Sequence, residues 1–187
     1  STDRSVAIAR EMGVQVVTSG RGRALQMNAG AAAANGHCLL FLHADTQLPR
    51  DGIDYVRRVL SFPEVALGAF ELRIDGPGAR YRWLELTANW RSRRLGVPYG
   101  DQALFLRRST FDGLGGYKPW PILEDYDLVR RAAKVGDLYI TGNRVRTSAR
   151  RWQREGVIRL TLRNVVTFFA FPLGVSPARI ARWYGRE

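Results

Sequence analysis

The chain is poor in the residues that staple or anchor a protein. It has one cysteine, Cys38, in 187 residues. An intramolecular disulfide is therefore excluded and a cysteine-based metal site has no support, which points to a reducing compartment, with the cytoplasm as the default. It has little uninterrupted apolar sequence. The longest such run in a helix-length window, residues 165–175, is broken by Thr167, Pro172 and Gly174, well short of the roughly 20 residues that span a bilayer. No basic, apolar, small-residue leader opens the sequence either. Lysine is nearly absent: of 29 basic residues only Lys118 and Lys134 are not arginine. The net charge of +12 is uneven, because residues 144–187 hold ten arginines against Glu155 and Glu187. A tail this basic suits anionic lipid, a diphosphate-bearing substrate, nucleic acid, or simply a solvated surface.

What is present is globular. Hydrophobic residues make up 45% and charged residues 25% of the chain, enough for one substantial core. Helix and strand signals alternate, which predicts an α/β domain. Ser1, Thr2 or Asp3 can cap a helix running to Met12 and stopped by Gly13, and residues 14–17 read as a short buried strand. Helices are expected at 23–35, 49–60, 79–95 and 124–135, the third with Trp83, Leu86 and Trp90 on one face. Strands are expected at 39–42, 66–74, 103–106 and 138–147. We read residues 1–155 as the folded domain and 156–187 as a basic, apolar helical tail. In that tail Arg159, Arg163 and Thr167 form a narrow polar stripe, so the helix packs deeply or lies on an anionic membrane.

Ligands of open α/β sheets gather beyond the carboxyl ends of strands, where Asp45 stands. A carboxylate there can hold a hard divalent cation that bridges phosphate oxygens; a loop or turn aspartate is the plain alternative. Glu124 and Asp125 open a helix, where carboxylates oppose its dipole. Either one could also take a proton from an acceptor hydroxyl within hydrogen-bond reach.

Six segments in this order and spacing are GRALQMNAG (22–30), LLFLHADTQLP (39–49), GDQALFLRR (100–108), FDGLGGY (111–117), ILEDYDL (122–128) and SARRW (148–152). Together they resemble glycosyltransferases of family 2, with the GT-A fold, and more closely the bacterial radical-SAM/selenodomain-associated transferase subgroup. The resemblance implies a Rossmann-type three-layer sandwich with a mostly parallel central sheet, lacking the family's first two strands, because Ser1, Thr2 and Asp3 resemble the end of the turn after the second of them. It implies sugar transfer from a nucleotide-sugar donor, metal-dependent and inverting, with Mg²⁺ or Mn²⁺ on Asp45, the last carboxylate of the family's Asp-X-Asp element. His43 stands where that element's first aspartate is usual. Asp125 corresponds to the base, with Glu124 in support. Arg23, Asn28, His43, Asp45, Asp101, Gln102, Arg151 and Trp152 are the implied donor-binding residues, and Asp127 is a first-turn helix residue. A lipid-linked acceptor, the inner face of a membrane and a homo-oligomer stay open. The competing readings are a nucleic-acid or anionic-membrane binding module, against whose nucleic-acid form the resemblance argues, and a nucleotidyltransferase on a related fold. If two strands are missing, residues 14–17 and 39–42 should not pair, and an open strand edge should remain.

Overall fold

The structure is a computed structural model that describes residues 4–185. Helix α1, Ser5–Glu11, ends at Met12 and Gly13, the latter at φ 71°. The caps expected at Ser1, Thr2 or Asp3 lie outside the described residues. Residues 14–17 form no strand, and Val14 and Val17 are exposed. A stretch of four residues with a glutamine inside becomes a strand only where a neighbour pairs with it, and none does here. With no strand at residues 14–17, whether it would pair with residues 39–42 is not put to the test.

From residue 23 onward the expected helices and strands lie close to their expected bounds, with further short elements between and after them. Helix α2 is Arg23–Ala33, strand β1 Cys38–Phe41, and a two-residue strand β2, Thr46–Gln47, was not foreseen. Helix α3 (Gly52–Leu60), strand β3 (Val65–Asp75) and helix α4 (Ala79–Leu95) lead to a short 3-10 turn at Gly100–Gln102. Strand β4, Leu104–Arg107, continues into α5, Arg108–Gly113; then come α6, Glu124–Ala132, and β5, Asp137–Ser148. The chain closes with α7 (Arg150–Glu155), α8 (Val157–Ala170) and α9 (Pro177–Tyr184).

The five strands form one sheet in the order β1-β4-β3-β5-β2. Side chains alternate across it. Leu39, Leu104 and Leu106 point to one face, with α2, α5 and α6, whereas Leu40, Ala103 and Phe105 point to the other, with α3 and α4. The three-layer α/β arrangement is thus as expected. Strand direction is not. Only β3 and β5 run parallel, while β1–β4, β3–β4 and β2–β5 are antiparallel. An apolar run reads the same in either direction, and the connection decides. Here β4 is entered from the turn at Gly100–Gln102, anchored on β3 by Gln102 Nε2 donating to Phe70 O at 3.0 Å, and not straight from a crossover helix. β1 has a partner on one side only, and a groove between it and α2, ≈ 580 Å³ in volume, runs along the open side.

β4 is short and meets β3 only at Gly68, where any Cβ would fall 2.2 Å from the Phe105 ring. Beyond that point the backbone of β3 faces α4, whose side chains complete its hydrogen bonding. Leu72 N donates to Asn89 Oδ1 (2.8 Å), Asn89 Nδ2 donates to Leu72 O (3.0 Å), and Ile74 N donates to Glu85 Oε1 (2.6 Å). Buried backbone groups need partners, so the inward face of α4 is partly polar, and its stripe of Trp83, Leu86 and Trp90 is exposed. A third cluster joins Tyr126 of α6 to Leu160 and Ala170 of α8 and to Ile180, Ala181 and Tyr184 of α9.

Asn89→Ala should therefore destabilise the fold by about 2 kcal/mol, because both the N–H and the C=O of Leu72 lose their partner. Trp90→Gln, on the outward stripe, should change stability by less than about 0.5 kcal/mol. Denaturant unfolding of the two variants checks the contrast, and the reverse order would show that α4 packs by its tryptophans.

Candidate active site

The turn after β1 is pinned to the end of β5. Thr46 N donates to His43 O (3.0 Å), Thr46 Oγ1 to Thr147 Oγ1 (3.0 Å), and Ser148 N to Asp45 O (3.0 Å). The short strand β2 exists to make this junction, and it sets His43 and Asp45 beside Thr147 and Ser148. Two further segments arrive through left-handed backbone. Ala103 (φ 49°) follows the turn at Gly100–Gln102, and Leu123 (φ 66°) precedes α6; they are the only non-glycine residues at positive φ among the described residues. Such conformations cost about 1–3 kcal/mol and persist where surrounding structure imposes them. Here they aim Asp101, Glu124 and Asp125 into one cleft of ≈ 140 Å³, closed on its far side by α7, α8 and α9.

Arg23 lies at the centre of the charges. Its Nε is 3.1 Å from Glu124 Oε1, and its Nη2 lies 3.1 Å from His43 Nε2 and 3.9 Å from Asp125 Oδ2. Burial alone would weaken the guanidinium charge, but Asp125 and Glu124 outweigh it and raise the Arg23 pKa. For His43 burial and Arg23 act together and lower its pKa, so its imidazole is neutral at neutral pH. Asp125 is held by main-chain donors: Gly100 N to Oδ2 at 2.7 Å and Tyr126 N to Oδ1 at 2.8 Å. A Cβ at Gly100 would sit 2.9 Å from Arg23 Nη2 and 3.1 Å from Asp125 Oδ2, so any other residue there would push these side-chain ends out of place. Asp101 Oδ1 is buried without a hydrogen-bond partner, and burial raises the pKa of that carboxyl. Tyr99 beside it has its phenol pushed up to about 12, also by burial, and remains a donor.

The structure thus brings together Arg23, His43, Asp45, Asp101, Glu124, Asp125, Arg151 and Trp152 around one cleft. It does not bring Asn28 or Gln102 there. The Asn28 amide clamps Tyr117, donating to its carbonyl (2.8 Å) and accepting from its N–H (2.9 Å). Gln102 is fully buried, with Ser92 Oγ donating to its Oε1 at 2.6 Å. Arg151 lines the cleft while tied to Glu155 (3.2 Å) and Tyr184 Oη (3.3 Å). Asp127 pairs with Lys118 and Arg131 in the first turn of α6. Tyr99, Asn164 and Tyr184 also line the cleft. Nothing in their local sequence marks them: Asn164 and Tyr184 are brought there by the packing of α8 and α9, and Tyr99 by the turn it opens.

The described residues include no group of three or more histidine, cysteine or acidic side chains placed to hold a metal ion. A closed protein cage is therefore unsupported. Mg²⁺, however, is usually held by one or two carboxylates together with substrate phosphates and water. Asp45 fits that role: it lines the cleft, and the Thr46 hydroxyl, whose proton goes to Thr147 at 3.0 Å, stays 3.4 Å from its Oδ1. His43 fits less well, since its Nε2 faces Arg23.

The sequence model of the family described as Glycosyl transferase family 2 matches residues 1–116. That span includes Arg23, His43, Asp45 and Asp101, but ends before Glu124, Asp125, Arg151 and Trp152. No curated protein matches the chain.

Asp101 offers a test of the cleft's electrostatics. Its raised pKa means that the folded state resists ionisation, so this carboxyl costs stability increasingly as pH rises through its folded pKa. Asp101→Asn should raise stability at neutral pH by on the order of 1 kcal/mol. The gain should vanish below the ordinary carboxylate range, near pH 4. Thermal melts of both proteins across pH check this, and a pH-independent difference would remove ionisation as the cause.

Proposed function

Because the chain belongs to glycosyl transferase family 2, we propose that its cleft transfers a sugar from a nucleotide-sugar donor to an acceptor hydroxyl by direct, inverting displacement. One observation carries the reading: Asp45, Asp101 and Asp125, from three separate segments, line the same small cleft around Arg23. A volume of ≈ 140 Å³ suits the reacting groups. It is below the roughly 300–1,000 Å³ of sites that enclose a whole small molecule.

In this mechanism Asp125 takes the acceptor proton. Each of its oxygens accepts one main-chain hydrogen bond and keeps a second lone pair, so the carboxylate is oriented while still able to receive a hydroxyl. Glu124 holds Arg23 in place, and Arg23 in turn offsets one of the two negative charges on Glu124 and Asp125. Asp101 Oδ1, buried and unpaired, is suited to a sugar hydroxyl, which would supply the missing donor. Arg151 and Trp152 are the part of the wall that α7 supplies. Mg²⁺ or Mn²⁺ would be held by Asp45 and would offset charge on the departing diphosphate.

Asp125→Asn should lower turnover by about 10²- to 10⁴-fold and leave the affinity for nucleoside diphosphate unchanged. Asp45→Asn should weaken metal-dependent binding of the diphosphate as well as turnover. Release of nucleoside diphosphate from a panel of nucleotide sugars, together with titration of nucleoside diphosphate plus Mn²⁺, measures both effects. Near-normal turnover by Asp125→Asn would leave Asp125 as a helix-terminus residue only. Release of pyrophosphate from a nucleoside triphosphate would replace the reading with nucleotidyl transfer.

A further inference from the structure

Helix α8 turns Arg163, Asn164 and Thr167 inward, while Arg159 stays exposed. Thr167 is buried, Arg163 Nη1 lies 3.6 Å from Glu155 Oε2, and Asn164 Oδ1 accepts a hydrogen bond from Tyr184 Oη at 2.6 Å. Leu160, Asn164 and Thr167 line the cleft. The opposite face is apolar and open to solvent. Ile158 is 77% exposed, Leu162 59%, Val166 55% and Phe169 61%, and Leu173, just past the helix, is 82% exposed. These positions recur at intervals of three or four and so form one continuous stripe.

The exposed charges on α7, α8 and α9 are all of one sign. Arg159 flanks the apolar stripe, Arg154 precedes it with its side chain 79% exposed, and Arg179, Arg182 and Trp183 are exposed on α9. Glu155 is the one acidic residue between positions 150 and 185, and it is occupied by Arg151, Arg154 and Arg163. No helix among the described residues is long and apolar enough to cross a membrane. An apolar face rimmed by arginine and without acid is complementary to an anionic lipid surface, into which such a helix sinks its apolar side while lying flat. A second copy of the chain fits poorly, because it would bring like-charged rims together with no carboxylate to offset them.

We propose that the outer face of α8, with the arginines and Trp183 of α9, docks the protein on an anionic lipid bilayer. This surface is independent of the transfer chemistry, although docking by one face of α8 would place the cleft lined by its other face about 10 Å from the headgroups, one helix diameter away.

The test is sedimentation of the protein at low salt with vesicles of phosphatidylcholine alone and of an equal mixture with phosphatidylglycerol. Binding should be at least about tenfold stronger to the anionic vesicles. The double variant Leu162→Glu, Phe169→Glu should lose at least that factor, and Arg159→Gln with Arg182→Gln should lose most of the preference for anionic lipid. Leu86→Glu, on the exposed stripe of α4, should bind as the unaltered protein does. Far-ultraviolet circular dichroism and melting curves check folding, and the arginine variant decides should the double variant not fold. Equal sedimentation with both vesicle types would overturn the proposal, as would full binding by the double variant or loss of binding by Leu86→Glu. So would concentration-dependent dimerisation through this face without vesicle binding.

Discussion

The Arg23 guanidinium reaches Glu124, His43 and Asp125 at 3.1, 3.1 and 3.9 Å, and so joins the start of α2 to the end of β1 and the start of α6. Its side chain is 35% exposed, whereas that of Glu124 is 1% exposed. The pair is therefore asymmetric: the cation keeps some water, whereas the carboxylate is shut off from it. Leaving a buried charge without its partner costs far more than forming the pair gains. The arrangement of the cleft rests on this constraint. Asp125 adjoins Glu124 in sequence, so whatever fixes one fixes the other, and Gly100 can donate to Asp125 only because no side chain intrudes between them.

The sheet supplies the frame for that arrangement by means other than strand pairing alone. β3 is bonded along its length to β5 but meets β4 at a single position. Asn89, Glu85 and Gln102 take over the hydrogen bonds that a longer neighbour would have made. Gln102 has a second consequence, since anchoring it to Phe70 fixes the turn that carries Gly100 and Asp101. The polar inner face of α4 and the geometry of the cleft are thus two results of one short strand.

This explains which features were legible in the sequence. Helices α2, α4 and α6 and strands β1, β3, β4 and β5 were readable because apolar spacing and glycine stops are local properties. Asp45, Asp101, Glu124 and Asp125 were identifiable as site candidates from the words around them. Strand direction was not readable, because periodicity carries no sense of polarity, nor was β2, whose two residues are a strand only through Thr147 and Arg146. Residues 14–17 show the converse: their composition suits a strand, but no strand lies alongside to pair with them. The tryptophan stripe of α4 would ordinarily mark a core face, yet it faces solvent because hydrogen-bond demand from β3 outranked apolar burial. Asn28 and Gln102 resemble site residues in their setting, but an amide that can both donate and accept is equally suited to clamping a backbone, and that is what both do.

The cleft also divides along the chain. Arg23, His43, Asp45 and Asp101 lie within the span shared with the family, whereas Glu124, Asp125, Trp152, Asn164 and Tyr184 lie beyond residue 116. If sugar transfer is the reaction, the metal and donor carboxylates come from the matched span, and the base and the wall opposite it come from the residues after it. The acceptor must approach the base. On that reading the acceptor meets α6 through α9, and among them α8 is the one that carries the cleft on one face and an exposed apolar stripe on the other.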